Sequence, residues 1–133
     1  PLEKIASGGE LSRIMLAIKT ILSNQDGVET LIFDEIDTGI SGITAQLVAG
    51  KLSQIAKGCQ VLCITHLPQI AAMADNHYLI EKKVITGKTV TQIRELGEEE
   101  SVGELARIIG GTQITDTVLN SAKEMKELAK RTK

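Results

Sequence analysis

Two adjacent carboxylates that follow a short uncharged run are the first residues that could do chemistry. Asp34 and Glu35 come directly after Thr30–Phe33. Carboxylates left partly buried and unpaired carry a large desolvation cost, which a bound cation would offset. Asp34 is therefore the candidate ligand for Mg²⁺, held through water, and Glu35 is the candidate to orient or deprotonate an attacking water. A solvated acidic turn is the alternative interpretation.

A histidine occupies the matching position after the next apolar run. His66 follows residues 61–64 and Thr65, as Asp34 follows its own run. In open parallel sheets, ligands bind outside the carboxyl ends of the strands, so we expect His66 and Asp34 to converge. A histidine satisfied within the core is the alternative. His77 has no such companion and is expected on the surface.

The segment Ser7, Gly8, Gly9 and Glu10 opens a strongly periodic helix. Ser7 and Glu10 have the spacing of a capping box, which is the simplest interpretation. A cap requires neither glycine, and each glycine weakens a first turn by about 1 kcal/mol relative to alanine. Glycines are useful where another group approaches the backbone closely. A phosphate fits this position, because free N–H groups and the helix dipole both favour an anion there.

A complete phosphate-binding loop of the form G-x-x-x-x-G-K-[ST] is missing from the sequence. Gly87, Lys88 and Thr89 match its end, but Lys82 stands where the leading glycine is needed. The segment 45–52 also fails to match, because Ala45 stands in place of the leading glycine and Leu52 in place of the final serine or threonine. On its own, the chain is therefore predicted neither to grip a β-phosphate nor to hydrolyse ATP.

The elements that position these residues follow from hydrophobic periodicity. A core-facing helix is predicted from an apolar stripe and ends at 23–27; the stripe consists of Leu11, Ile14, Met15, Ile18 and Leu22. Thr30–Phe33 is typical of a strand buried on both faces. A second helical stripe ends near Gly58; it consists of Ile43, Leu47, Val48, Leu52 and Ile55. A strand at 61–64 and a short helix at 69–74 after Pro68 follow, so the two strands are predicted to run parallel.

The rest of the chain, from residue 78 onward, predicts a hairpin and two helices. Residues 78–93 form two β-type runs around Gly87 and Lys88, which indicates an antiparallel hairpin at a sheet edge. Ser101 and Glu104 suggest a capping box for a helix that ends at Gly110. A last amphipathic helix begins near Asp116; its apolar face is Val118, Ala122, Met125 and Ala129, and its lysines are Lys123, Lys126, Lys130 and Lys133. A solvated basic face is favoured over a nucleic-acid patch, because acidic residues interleave with the lysines.

Composition sets limits on the class of protein. With 133 residues and 42% hydrophobic content, the chain is long enough for one globular domain. A net charge of -2 and 2% aromatic residues give no global attraction for nucleic acid and no stacking platform. Cys59 and Cys63 would lie about 13 Å apart in a strand, too far for a disulfide, and are interpreted as buried thiols. No targeting or membrane pattern is found, so the cytoplasm is expected. Because the sequence opens with Pro1, it is interpreted as a piece of something longer.

In order and spacing, three of these segments resemble consecutive motifs of the ABC-class ATPases. Residues 7–10 look like the signature motif, residues 31–35 look like Walker B, and His66 looks like the switch histidine. Within that class, residues 33–42 and 65–72 are similar to the RecN-like DNA repair proteins, which belong with the SMC-like proteins. The resemblance implies an α/β fold in which residues 1–133 form the C-terminal half of a P-loop NTPase (ABC-type) head. That half has a mostly parallel sheet with flanking helices plus an antiparallel hairpin.

The resemblance also implies a mechanism and partners. ATP and Mg²⁺ would be the cofactors, with Asp34 supporting the metal, Glu35 as the catalytic base and His66 sensing the γ-phosphate. Ser7, Gly8, Gly9 and Glu10 would contact ATP held by a second head in a homodimer. The Walker A half would lie upstream in the same protein, and DNA would be bound by the complete, membrane-free and nucleoid-associated protein.

The function expected from this resemblance is ATP hydrolysis at a dimer interface during bacterial double-strand break repair and recombination. Two alternatives stay open: the nucleotide-binding fragment of an ABC transporter and a non-catalytic dimerisation module. Transporters typically place a proline after the catalytic glutamate, and Ile36 stands there instead. Ser41 departs from the aspartate that many members of the wider class carry.

Overall fold

The computed structural model describes residues 7–22 and 27–133, in which α-helices and β-strands alternate and then segregate. In chain order the elements are α1 (Gly8–Leu22), β1 (Thr30–Phe33), α2 (Gly42–Ala56), β2 (Gln60–Cys63), α3 (Pro68–Ala72), β3 (His77–Ile85), β4 (Lys88–Leu96), α4 (Glu98–Gly110) and α5 (Asp116–Thr132). The predicted α/β mixture is confirmed. Of the predicted helix stop at 23–27, residues 23–26 lie outside the described part.

β1 and β2 form a parallel pair that is connected through α2. The register places Thr30 opposite Gln60 and Phe33 opposite Cys63, so the predicted parallel connection is confirmed. One face of the pair packs on a first hydrophobic core; its buried members are Leu16, Phe33, Ile36, Val48, Ala49, Leu52 and Ile70.

The prediction that β1 is buried on both faces is wrong for the described residues. Ile32 is 70% exposed, and its partner in register, Leu62, is also exposed. Side chains of adjacent residues in a strand alternate between faces, and only the face that carries Phe33 meets α2 and the core. The opposite face of the parallel pair therefore presents apolar side chains to solvent within the described structure.

The predicted core-facing stripe of α1 is also wrong in its burial. Its members are each 40–48% exposed; they are Leu11, Ile14, Met15, Ile18 and Leu22. α1 instead packs against the first core through Leu16, and Gly9 is buried near its start. A similar shift occurs in α2, where Ile43 and Leu47 are exposed and Ala45 and Ala49 are buried. The helices form as predicted, but neighbours in space decide which face is covered.

A second hydrophobic core forms where α4 and α5 pack together against α3. Its buried members are Ala71, Ala72, Leu105, Ala106, Ala122 and Ala129. The predicted apolar face of α5 is confirmed, with Val118 and Met125 packed against the same core. Because α3 contributes Ile70 to the first core and the two alanines to the second, this five-residue helix joins the two.

The predicted antiparallel hairpin is confirmed as β3–β4, but among the described residues it forms a two-stranded sheet of its own and does not extend the parallel pair. Thr86 and Gly87 connect the strands, and both have positive φ angles of 48° and 74°. Such angles at both central residues suit the tight turns that match strand twist. The Gly87, Lys88 and Thr89 segment therefore lies at a hairpin tip and not between a strand and a helix.

α4 begins four residues earlier than the Ser101 capping box predicts. Gly97 is the N-cap, and its backbone N–H donates to the Glu100 carboxylate at 3.0 Å. Ser101 is instead buried inside the helix, and Glu104 pairs with Arg107. The predicted end is correct, because Gly111 closes the helix with a φ of 63°.

Candidate functional site

Asp34 and His66 lie at the same edge of the parallel pair, as the sequence predicted. Asp34 follows the last residue of β1, and His66 lies three residues after the last residue of β2. The ladder continues one step beyond the strands, because the Ile64 N–H donates to the Phe33 carbonyl at 3.0 Å. The carboxyl ends of both strands therefore deliver their polar residues to one place.

The acidic pair is exposed, so the premise that these carboxylates are partly buried is wrong. Asp34 and Glu35 both face solvent. The Asp34 carboxylate accepts a hydrogen bond from the Glu35 N–H at 2.9 Å. Glu35 has a φ of 57°, which is uncommon for a residue with a side chain. Such backbone strain costs about 1–3 kcal/mol and is found where the surrounding structure determines a turn.

The first turn of α1 is the part of the structure that contacts this turn. A Cβ added to Gly8 would overlap the Glu35 carboxylate, and a Cβ added to Gly9 would lie 2.7 Å from the Glu35 carbonyl oxygen. The close approach predicted from these glycines is thus already made by the chain itself. The predicted capping box is confirmed as well: the Ser7 N–H donates to Glu10 at 2.7 Å, and the Glu10 N–H donates to the Ser7 hydroxyl at 3.3 Å.

Ser12 and Arg13 hold the same turn and were missed by the sequence analysis. The Ser12 hydroxyl donates to the Asp34 carbonyl at 2.8 Å. The Arg13 guanidinium donates to the carbonyls of Ile36 at 3.0 Å and Thr38 at 2.8 Å. Neither residue belongs to the apolar stripe of α1, and their partners lie 22–25 residues away. Periodicity therefore gave no signal for them.

Asp37 is a third residue that the sequence analysis missed. It is 3% exposed, and its Oδ2 accepts hydrogen bonds from the Thr65 hydroxyl at 2.6 Å and the His66 N–H at 2.9 Å. The same oxygen lies 3.0 Å from His66 Nδ1. The His66 side chain is 74% exposed, so the alternative of a core histidine is wrong. A third acid three residues after Asp34 was the available sequence signal.

Cys63 lies beside this group but does not supply a reactive thiolate. Burial raises the pKa of the Cys63 thiol to about 12, and the nearby charges of Asp37 and Asp34 act in the same direction. A thiol with such a high pKa stays protonated at neutral pH and is a poor nucleophile. Cys59 and Cys63 are both free, as predicted, although they are half-buried rather than fully buried.

The site offers few protein ligands for a metal ion. Among residues 7–22 and 27–133, no three His, Cys, Asp or Glu side chains come together in a metal-binding group. Mg²⁺ commonly takes only one or two carboxylates and completes its shell with water and substrate phosphates. A single carboxylate such as Asp34 therefore fits magnesium bound together with a nucleotide.

His77 is half-buried, which corrects its assignment to the surface. Its Nδ1 lies 2.8 Å from the Ser101 hydroxyl, and burial together with the nearby Lys126 lowers its pKa. His77, Ser101 and Lys126 all line a cavity of about 330 Å³ beside α5. Lys130 pairs there with Glu98, and Lys133 pairs with Asp75 at 2.5 Å. These ion pairs favour the solvated face over the nucleic-acid patch.

The chain is similar over nearly its whole length to DNA repair proteins of several bacteria. The chain is 56% identical over 129 residues to a DNA repair protein of Halalkalibacterium halodurans and 52% identical over 132 residues to one of Bacillus subtilis. A third relative, from Deinococcus radiodurans, is 46% identical over 127 residues. These alignments cover 97%, 99% and 94% of this chain.

All three relatives are DNA repair proteins of one kind, named RecN. The chain belongs to the RecN family and spans about 23% of the length of the first two relatives. No protein-family model matches it. The comparisons favour the DNA repair class over the transporter alternative. In the described part of the chain, no helix has the length and apolar character needed to cross a membrane.

Proposed function

We propose that this chain forms the C-terminal half of an ABC-type ATPase head, which hydrolyses ATP at the interface between two heads. The remaining part of the same protein would supply the Walker A loop. The complete, nucleoid-associated cytoplasmic protein would use this cycle on DNA during double-strand break repair and recombination. The observation that carries the proposal is the meeting of Asp34, Glu35 and His66 at one strand edge against the first turn of α1.

The residues at this edge suit a nucleotide bound with magnesium. When bound, Mg²⁺ would neutralise charge on the phosphates. Asp34 would hold the ion through water, because its carboxylate is exposed at the strand end. Glu35 would accept a proton from the attacking water, and its exposed carboxylate lies beside the start of α1. His66 would donate a hydrogen bond to the γ-phosphate from its exposed ring.

The first turn of α1 would serve the second head of a homodimer. Ser7, Gly8, Gly9 and Glu10 would face ATP that the partner holds. The Ser7 hydroxyl accepts a hydrogen bond from Glu10, so its own hydrogen can still be donated to a phosphate oxygen. Backbone N–H groups at a helix start and the helix dipole favour such an anion.

The exposed apolar surfaces support the idea that the rest of the protein covers this half. Ile32 and Leu62 form a pair on the open face of the parallel sheet. The α1 stripe adds five more half-exposed apolar side chains. Exposed apolar side chains grouped on one helix face and on one sheet face are typical of an interaction site, and the Walker A half is the partner that the proposed function requires.

The decisive experiment is Glu35→Gln in the complete protein. Loss of a general base lowers turnover by about 10²–10⁴-fold. We expect the variant to retain ATP and to accumulate paired heads, measured by steady-state ATPase assay and light scattering. Glu29→Gln is the matched control, because Glu29 precedes the same strand at its opposite end and is exposed. Normal turnover by Glu35→Gln would remove the assigned role and favour the non-catalytic dimerisation module.

A second experiment concerns the 133-residue chain alone. Without a phosphate loop, we expect weak ATP binding or none, and no hydrolysis. Isothermal titration calorimetry with and without Mg²⁺ measures this directly. Micromolar, Mg²⁺-dependent binding would contradict the division of the site between two halves of the head.

A further inference from the structure

Asp37 is a buried carboxylate that the proposed roles leave unused. In the described part of the chain, the only other buried polar or charged side chain is Ser101. An ionised carboxylate removed from water is costly unless hydrogen bonds replace its hydration. Asp37 receives them at one oxygen, from the Thr65 hydroxyl and the His66 N–H, with His66 Nδ1 at 3.0 Å.

These contacts keep Asp37 ionised despite its burial. Burial by itself raises the pKa of the Asp37 carboxyl, but the hydrogen bonds from Thr65 and His66 outweigh it and hold the pKa below its usual value. Asp37 is therefore a negative acceptor at neutral pH. An acceptor that carries no proton requires the facing nitrogen to be the donor.

The ring orientation of His66 follows from the role of Asp37 as a hydrogen-bond acceptor. With the hydrogen on Nδ1 directed at Asp37, the second ring nitrogen, Nε2, belongs to the outward part of an exposed ring. The hydrogen bond made by one ring nitrogen sets the state of the other, and such supporting carboxylates also fix the orientation of the ring. In the doubly protonated ring Nε2 also carries a hydrogen, and this is the form that can donate from Nε2 to a phosphate.

We propose that Asp37 is a positioning residue that aims His66 at the nucleotide and holds the His66 loop against the turn that carries Glu35. The proposal rests on the proposed function, because it assumes that His66 contacts a phosphate. Asp37 is two residues from Glu35, in the turn whose Ile36 and Thr38 carbonyls Arg13 holds. One carboxylate thus ties the loop after β1 to the loop after β2.

Asp37→Asn tests the negative charge of Asp37 separately from the shape of its side chain. The asparagine oxygen can replace Oδ2 and keep the Thr65 and His66 N–H hydrogen bonds, while the negative charge is lost. In the complete protein we expect kcat for ATP to fall by about 10–100-fold with KM little changed, because supporting partners of this kind act at that level. Asp116→Asn is the matched control: it makes the same chemical change at an exposed position at the start of α5, and we expect it to retain kcat within about threefold.

A double-mutant cycle tests whether Asp37 acts through His66. If it does, adding Asp37→Asn to His66→Ala lowers kcat by less than about twofold beyond His66→Ala alone. Independent, multiplicative losses would overturn the proposal, as would wild-type kcat in Asp37→Asn. If Glu35→Gln and His66→Ala both leave turnover intact, the proposed function itself fails. If they lower turnover to a residual, measurable rate and the cycle is multiplicative, only the role of Asp37 fails.

A measurement on the unmodified protein guards against variants that do not fold. Nitrogen-15 NMR of histidine-labelled complete protein, with His66 assigned by its absence in His66→Gln, reports which ring nitrogen carries hydrogen. We expect a proton on Nδ1 in the neutral ring. A neutral ring protonated on Nε2 alone would overturn the proposal.

Discussion

The two hydrophobic cores of this molecule differ in how completely the described residues cover them. The first core lies under α1, α2 and the parallel pair, and the surfaces around it remain apolar and exposed. The second core, between α3, α4 and α5, is closed by alanines and by Leu105, which has no exposed surface. The candidate site belongs to the first region, so the residues that could do chemistry stand on the less enclosed part of the molecule.

The two regions are stabilised by different kinds of interaction. α5 is capped by Thr115, and ion pairs link it to α4 and to the loop before β3. α1 is instead held by polar contacts to the turn after β1. Apolar burial contributes about 25 cal/mol per Å², and the exposed α1 stripe gains little of it without a partner surface. We infer that the first region depends on the rest of the protein more than the second does.

Truncation of Leu105 in the second core should change the stability of the chain more than any other variant proposed here. Leu105→Ala should lower the free energy of unfolding of the 133-residue chain by about 2–5 kcal/mol, because it leaves a cavity among well-packed side chains. Chemical denaturation followed by circular dichroism measures the loss. Leu128→Ala, on the exposed side of α5, is the control and should change stability by less than about 0.5 kcal/mol. Similar losses in the two variants would show that the second region is not closed.

A substitution at Ser7 tests whether the start of α1, in the first region, contacts a second head. Ser7→Arg in the complete protein should lower ATP turnover by about 10²-fold, because a long charged side chain displaces the partner's nucleotide. ATP binding by a single head should be spared, as measured by calorimetry beside the ATPase assay. Thr117→Arg, exposed on α5, serves as the control. Unchanged turnover in Ser7→Arg would remove the in-trans assignment.

A smaller change in stability is expected when the α1 stripe is truncated, and its size should differ between the 133-residue chain and the complete protein. Ile18→Ala should cost about 1 kcal/mol or less in the 133-residue chain, where the side chain is half-exposed. In the complete protein the same change should cost about 2–5 kcal/mol, because the side chain would then be buried. Parallel denaturation experiments on the two proteins make the comparison. Equal costs would mean that no partner surface covers the α1 stripe.

The pH dependence of stability should differ between the two regions, with small effects from His77 in the second region and from Asp37 in the first. The pKa of His77 is lowered in the folded state by burial, so the unfolded chain binds the proton first and stability falls as pH drops below about 6.5. The pKa of Asp37 is also lowered, so the stability it contributes is kept until pH falls below about 3.9.

Urea denaturation at a series of pH values measures both windows. His77→Gln should flatten the upper window and leave the lower one in place, and Asp37→Asn should do the reverse. If His77→Gln leaves the pH dependence near 6.5 unchanged, burial of His77 does not control it.

The order and type of the elements were determined by the sequence, because their signals are local. β1 begins and ends at the predicted residues Thr30 and Phe33, and the hairpin turns at Gly87 as its turn residues indicate. The meeting of Asp34 and His66 was also predictable, because parallel strands connected by a helix deliver their ends to one edge.

Burial and hydrogen-bond partners were decided only by the tertiary structure. The stripe of α1 has the period of a buried face, but no sequence pattern states whether a neighbour covers it. Asp37 meets residues 28–29 positions away, and Ser101 meets His77 from 24 positions away. Contacts between distant residues depend on how the elements pack, and local propensity carries no information about that packing.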